Sequence, residues 1–214
     1  PKTQEARDAL VGVKNVYIQL NKVDDYLAFA ATVPSATVTL SEQDSITFQA
    51  AELAYNQNNC VQGIESLTKY INRFPDGYFV VNARFLRADC YSRQGDSTLM
   101  LQDLVFVADQ PRNLYSERVY ARLGKYYLAS RDTVNVIKYL RLLEQNSDSR
   151  WNYIDAIQGL MRMYFGTEQL PLAKTYAEQI KQFEHADEQA KLEADLILAQ
   201  IQLLEGQLSD AFLS

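Results

Sequence analysis

The sequence predicts an all-α fold, a solenoid of about five and a half helix-turn-helix units. Three observations lead there. Residue pairs that suit a junction between two helices recur at Asn21-Lys22, Asn58-Asn59, Gly95-Asp96, Arg131-Asp132, Glu168-Gln169 and Gly206-Gln207, at spacings of 37, 37, 36, 37 and 38 residues. Apolar residues return every three or four positions on both sides of each junction, the period of an amphipathic helix. Tyr17, Tyr91 and Tyr127 each follow a proline (Pro1, Pro75, Pro111) by sixteen residues, in a chain with only 5 Pro.

Taken in order, the units are 1–32, 42–74, 75–110, 111–147, 148–184 and an incomplete 185–214, with 33–41 as an irregular connection after the first. Five residues after the first member of each junction stands an apolar or small residue: Tyr26, Gly63, Met100, Val136, Ala173 and Ala211. In the unit at 111–147, Tyr120, Leu123, Gly124 and Tyr127 form the stripe of the first helix, and Val136, Leu140 and Leu143 that of the second. Ala51, Ala88, Gly124 and Ala199 share one position in the first helix, where a small side chain lets the paired helix approach. Tyr17, Tyr91, Tyr127 and Tyr164 share another and read as core. Asp96 and Asp132 stand where an N-cap is needed, Ser41 followed by Asp44 resembles a capping box, and Pro171 suits a first helical turn.

The run Tyr120-x-x-Leu123-Gly124-x-x-Tyr127, with Val136, Leu140 and Leu143 beyond it, resembles the tetratricopeptide repeat signature. Gly95-Asp96 and the helix-ending Pro75 and Pro111 resemble the same family. The likeness extends over nearly the whole chain and is most specific at 83–143. It departs from the family in its longer period and in the stretch from Val33 to Leu40. Long repeats of this kind are similar to those of Gram-negative envelope proteins, which implies a periplasmic or outer-membrane-associated setting.

The resemblance implies a right-handed superhelix whose first helices line a concave face that holds a protein partner's peptide or helix. On this chain that face would carry Phe48, Glu52, Tyr55, Asn56, Asn82, Phe85, Asp89 and Arg93. It would continue with Arg118, Arg122, Lys125, Leu128, Gln158, Arg162 and Phe165. Aromatics beside arginines are the material of binding hot spots. A chaperone carboxylate clamp is not expected, because Phe48 and Glu52 occupy the places of its Lys and Asn, and only Arg118 and Arg122 match. The resemblance therefore implies a non-catalytic interaction scaffold. A helical lobe of a larger cell-wall enzyme and a plain structural spacer are the alternatives.

Charge narrows the expected partner. The chain carries a net charge of -6, against general nucleic-acid binding. Residues 1–78 carry a net of -3, residues 79–141 a net of +4 and residues 142–214 a net of -7. A basic middle suits an acidic segment, with Arg118, Arg122 and Lys125 orienting it. The expected partner is a protein or peptide, with no nucleic acid, no cofactor and no metal. No apolar run reaches the length of a transmembrane helix. The polar start Pro1-Lys2-Thr3-Gln4-Glu5 reads as no signal peptide. Ala211-Phe212-Leu213 lies within a second helix with no polar cap, so the chain is expected to be part of a longer array. Its exposed end would then be open to self-association.

The remaining chemistry is sparse. Cys60 and Cys90 should lie near one edge of the solenoid, where a disulfide is feasible, although two buried free thiols are the commoner arrangement. His185 is the only histidine and sits in the polar segment Glu184-His185-Ala186-Asp187-Glu188, which reads as solvated linker rather than a metal or triad site. No Gly-rich phosphate loop is present. Asp24-Asp25 and Asp187-Glu188 read as solvated pairs, since adjacent helical residues point apart.

Overall fold

The computed structural model describes residues 3–34 and 36–213, with side chains through 206, and all regular structure among them is helical. The chain divides into two compact units, Pro1–Pro111 and Arg112–Ser214. The first holds α1 (Gln4–Gln19), α2 (Val23–Thr32), α3 (Leu40–Asn56), α4 (Cys60–Arg73), α5 (Val80–Gln94) and α6 (Ser97–Ala108). The second holds α7 (Ser116–Ala129), α8 (Thr133–Asn146), α9 (Arg150–Gly166), α10 (Leu170–Gln182) and α11 (Glu188–Leu213). Within each unit a helix packs on its sequence neighbours. First helices of successive repeats also touch: α1 with α3, α3 with α5, α7 with α9, and α9 with α11.

Five of the six expected junctions form, and the backbone shows how. Asn21, Asn58, Gly95, Arg131 and Glu168 all adopt positive φ, at 56°, 58°, 78°, 59° and 60°. A single left-handed residue after a helix lets the chain reverse while the last carbonyls remain bonded. Gly95 takes this conformation without penalty and Asn with little; Arg131 and Glu168 hold it against their Cβ. The closing bonds run from Lys22, Asp96, Asp132 and Gln169 N–H to the carbonyls of Tyr17, Tyr91, Tyr127 and Tyr164, at 2.8, 2.9, 3.0 and 2.9 Å.

The repeated tyrosine stands at this closing bond, although any residue could supply the carbonyl and only the ring is specific to tyrosine. Its carbonyl closes the turn, and in three repeats its ring meets an aromatic ring of the second helix. Tyr17 meets Tyr26 with centroids 6.3 Å apart, while Tyr127 and Tyr164 stack on Tyr139 and Tyr176 at 5.6 and 5.7 Å. Only Tyr164 is fully buried; the other three are half-buried, so this position is a core margin rather than core.

Asp96 and Asp132 cap α6 and α8, accepting from the N–H groups of Leu99 and Asn135 at 2.9 and 3.1 Å, and Pro171 lies in the first turn of α10. Other local expectations are corrected. The cap of α3 is Thr39, which accepts from Glu42 N–H, so the helix takes in Leu40 and Ser41, and Ser41 is not its cap. Asp44 is buried instead, where it accepts from the Tyr70 hydroxyl at 2.5 Å and Tyr78 N–H at 2.8 Å. The sixth junction does not form: α11 runs unbroken through Gly206. One helical glycine costs about 1 kcal/mol, too little to end a helix among Leu203, Leu204, Glu205 and Gln207. Without that turn no second helix covers Ala199, which is exposed, whereas Ala51, Ala88 and Gly124 are buried as expected. The expectations placed on the side chains of Ala211, Phe212 and Leu213, and on Pro1, lie outside the described residues.

The core of the second unit is a continuous apolar seam in which Ile157, Leu160, Met161 and Tyr164 of α9 meet Ala173, Ala177 and Ile180 of α10 and Ala190, Ala194, Ile197 and Ile201 of α11. In the first unit, Val23, Tyr26 and Ala30 of α2 pack with Ile46 and Ala50 of α3, and α1 adds only half-buried residues such as Leu10 and Tyr17. A second buried acid, besides Asp44, interrupts the apolar pattern. Asp103 of α6, 1% exposed, pairs with Arg84 at 3.0 Å and Arg87 at 2.7 Å, and Arg87 also donates to Thr68 of α4.

Candidate functional site

A cleft of about 340 Å³ opens on the second unit between α7 and α9, with α8 beneath. Val136, Leu140 and Leu143 of α8 lie at its base, with Ala121, Gly124 and Leu128 on the α7 side and Gly159 and Met163 on the α9 side. Lys125, Asn152, Asp155, Gln158 and Arg162 supply the polar rim. An apolar base with a few converging polar groups is the common form of a recognition site. The cleft depends on two glycines. A Cβ on Gly159 would stand 2.7 Å from Leu140 Cδ1, and one on Gly124 would stand 3.4 Å from Leu140 Cδ2. Leu140 therefore fills the space that two missing side chains leave between neighbouring first helices.

Four residues expected on the binding face meet in this cleft: Lys125, Leu128, Gln158 and Arg162. Leu128 keeps 53% of its surface exposed. Arg162 is held by Glu193 of α11 through bonds of 2.5 and 2.6 Å, and Gln158 donates to the same carboxylate at 2.8 Å. The Arg162 hydrogen bond is the main reason that the Glu193 pKa lies below the usual carboxylate value, against the opposing effect of burial. Arg118, Arg122 and Phe165 do not line the cleft, so of the expected basic cluster only Lys125 does.

The expected residues of the first unit divide differently. Phe48 and Phe85 are core, 4% and 3% exposed, so neither is available as a surface anchor. Phe48 stacks on Phe79 with centroids 4.6 Å apart and meets the edge of Tyr70, which is why an aromatic is needed there. Tyr55, Asp89 and Arg93 form one network: the Tyr55 hydroxyl donates to Asp89 at 3.0 Å, Arg93 pairs with Asp89 at 2.8 Å, and Arg93 donates to Asn58 at 3.0 Å. That network ties α3 to α5. Asn82 is half-buried on α5. Glu52 and Asn56 line a shallow opening of about 350 Å³ with Asn15, Gln19 and Gln49, a surface dominated by amides.

Cys60 and Cys90 form a disulfide with Cα atoms 5.1 Å apart, so the arrangement as free thiols is not adopted. The bridge joins the first residue of α4 to the last turn of α5, beside Gly63, where the helices are close. Asp24 also departs from expectation, since it accepts from Lys69 and Arg73 of α4 rather than facing water alone. Asp187 accepts from Ala190 N–H at the start of α11. His185 is exposed, with its ring edge-on to Phe183 at 5.7 Å.

Two carboxylates have a structural role that the sequence did not reveal, Asp44 having been expected in a capping box. Asp44 of α3 and Glu117 of α7 both stand fourteen residues before the turn residue of their repeat, Asn58 or Arg131. Each reaches the start of the next first helix: Asp44 accepts from Tyr78 N–H, and Glu117 accepts from Ser149 N–H at 3.1 Å and the Asn152 amide at 2.7 Å. An anion there satisfies orphan donors and meets the positive end of the helix dipole. The same position holds Arg7, Val81 and Ile154 in the other repeats, so no repeat pattern signalled these two roles.

Among the described residues no group of three or more His, Cys, Asp or Glu side chains is placed to hold a metal ion, and no helix is long and apolar enough to cross a membrane. In comparisons with known proteins, the chain matches no protein-family model and no curated protein.

Proposed function

We propose that this chain is a tetratricopeptide-repeat array acting as a non-catalytic scaffold in cell-envelope assembly, holding a partner protein's segment on the face of its first helices. The α7–α9 cleft carries this reading. It combines an apolar base with an open polar rim, and it gathers four residues that the repeat register assigns to that face. The regular pairing of helices supports the repeat reading, since such units expose one continuous row of first helices to a ligand. The Cys60–Cys90 bridge supports an oxidising compartment such as the periplasm.

A photo-crosslinking amino acid at Leu128, on the cleft, compared with one at exposed Glu178 of α10, tests the reading in cells. Adducts with one protein at position 128 and none at 178 are expected. No adduct at 128, or the same adducts at both positions, sinks it.

A further inference from the structure

Helix α11 is apolar on two opposite sides. Ala190, Ala194, Ile197 and Ile201 face the seam with α9 and α10. On the far side Leu192, Leu196, Ala199 and Leu203 are all exposed, the three leucines at 67, 58 and 63%. A helix that packs on one neighbour needs one apolar stripe; a helix with two has a second face to bury. Counted back from the turn position, these four residues correspond to Asp44, Phe48, Ala51 and Tyr55 of α3. There Asp44 and Phe48 meet Tyr70 of α4, the second helix of that repeat, and Ala51 is buried. In α7 the equivalent Gly124 lies against Leu140 of α8. Since α11 runs on through Gly206 with no turn, no second helix covers its stripe among the described residues.

Spacing and charge select what covers it. The four residues are separated by 4, 3 and 4 positions, the spacing of a coiled-coil seam, and that spacing is the same read in either direction. A second copy of α11 laid antiparallel therefore meets the first in register about a two-fold axis. Leu192 lies opposite Leu203 and Leu196 opposite Ala199, whose small side chain leaves room for the leucine. Along the two flanks of that seam Glu193 lies opposite Gln200, and Asp195 opposite Gln202, of the other copy. Laid parallel, the helices would set Glu188 against Glu193, a like-charge contact. The charges of α11 beside the stripe are also engaged within the chain: Glu193 by Arg162, Asp195 by Lys181 and Lys191 by Glu188.

We propose that the outer face of α11 is a self-association surface, on which a second copy of this chain packs its own α11 antiparallel. The copy's helix takes the place that a second helix holds in the other repeats. Three leucines and one alanine from each copy make a small interface, so dimers form on the order of 100 μM chain.

The test is sedimentation equilibrium of the whole chain from about 10 to about 1,000 μM, where the wild type should pass from monomer to dimer. Leu196→Glu sets a charge against Ala199 of the other copy and should weaken association about tenfold or more. Val134→Glu, at an exposed valine of α8, should leave association unchanged. Both substituted positions are exposed, so circular dichroism should show full helicity in each variant. Direction is read from single added cysteines, with the Cys60–Cys90 bridge left in place. On oxidation, a mixture of Leu192→Cys and Leu203→Cys chains should crosslink to each other, and neither alone should crosslink to itself. Monomers at every concentration, or association that Leu196→Glu leaves intact, overturns the proposal. Leu192→Cys chains that crosslink to themselves as readily as to Leu203→Cys chains overturn the antiparallel order.

Discussion

Gly159 of α9 stands so close to Leu140 of α8 that a Cβ at position 159 would lie 2.7 Å from Leu140 Cδ1. Two effects oppose each other in Gly159→Ala. Alanine gains about 1 kcal/mol of helix propensity over glycine, and the clash forces the end of half-buried Leu140 into the cleft. The net stability change should be within about 1 kcal/mol of zero. Leu140→Ala should destabilise by about 2 kcal/mol, the low end for a leucine truncation because the residue is only half-buried. In that background Gly159→Ala meets no clash and should stabilise by about 1 kcal/mol. Urea unfolding of the two single variants and the double variant checks this coupling; strict additivity would mean that the glycine does not make room for Leu140.

The buried carboxylate of Asp44 holds the α4–α5 connection onto α3 through the Tyr70 hydroxyl and Tyr78 N–H, while the Tyr70 oxygen accepts from Phe79 N–H at 3.0 Å. Asp44→Ala strands two donors and should destabilise by about 2–4 kcal/mol. Gly77 lies inside the same turn, where a Cβ would stand 2.6 Å from the Tyr70 oxygen and 2.7 Å from Phe74 Cβ. Gly77→Ala should therefore be destabilising too, although the residue lies outside any helix. Thermal unfolding reads both variants, and a neutral Gly77→Ala would mean that the turn can open without loss.

The turn positions were legible because their signals are local. Asn21, Asn58 and Gly95 are residues that tolerate positive φ, and spacing alone carried Arg131 and Glu168, whose side chains do not favour it. The same ruler failed at Gly206, where spacing and glycine agree but the neighbouring residues favour helix. Part of the α7–α9 cleft was legible as well, since four of its thirteen lining residues, Lys125, Leu128, Gln158 and Arg162, follow from repeat register. Its depth was not, because that depends on Gly159 opposite Leu140, nineteen residues away on another helix. Phe48 and Phe85 show the complementary error. Register assigned them to the binding face, yet both are buried, Phe48 against Phe79 and Tyr70, neighbours that register alone does not supply.

Removing the Cys60–Cys90 bridge should loosen the first unit. The two cysteines are 30 residues apart, and closing a loop of that size restricts the unfolded chain by about 3.6 kcal/mol in the chain-entropy account. Replacing both residues by Ala removes the crosslink without leaving a buried hydroxyl at Cys90, which is fully buried. Amide exchange in α4 and α5 should then quicken by up to about 400-fold. Unchanged exchange would show that helix packing alone holds this pair.

Acid should release α11 from α9 before it affects the apolar seam between α10 and α11. Glu193 has a pKa lowered chiefly by its hydrogen bond from Arg162. A carboxyl whose folded pKa lies below its unfolded one contributes its full stability above the unfolded value, and loses it as pH falls through the folded value. The window is therefore the acid side of the carboxylate range, and the effect at neutral pH is below about 1 kcal/mol because the Arg162 side chain is 53% exposed. Asp24, lowered mainly by its hydrogen bond from Lys69, adds a loss of the same sign in the first unit, so the informative quantity is the difference between the wild type and Glu193→Gln. Glutamine cannot titrate and still offers Arg162 a carbonyl oxygen. Amide exchange of α11 should quicken with falling pH in the wild type, after correction for the intrinsic rate, and stay nearly level in the variant. Equal acid sensitivity in both proteins would assign the effect to another carboxylate and remove the Glu193–Arg162 pair from the docking of this helix.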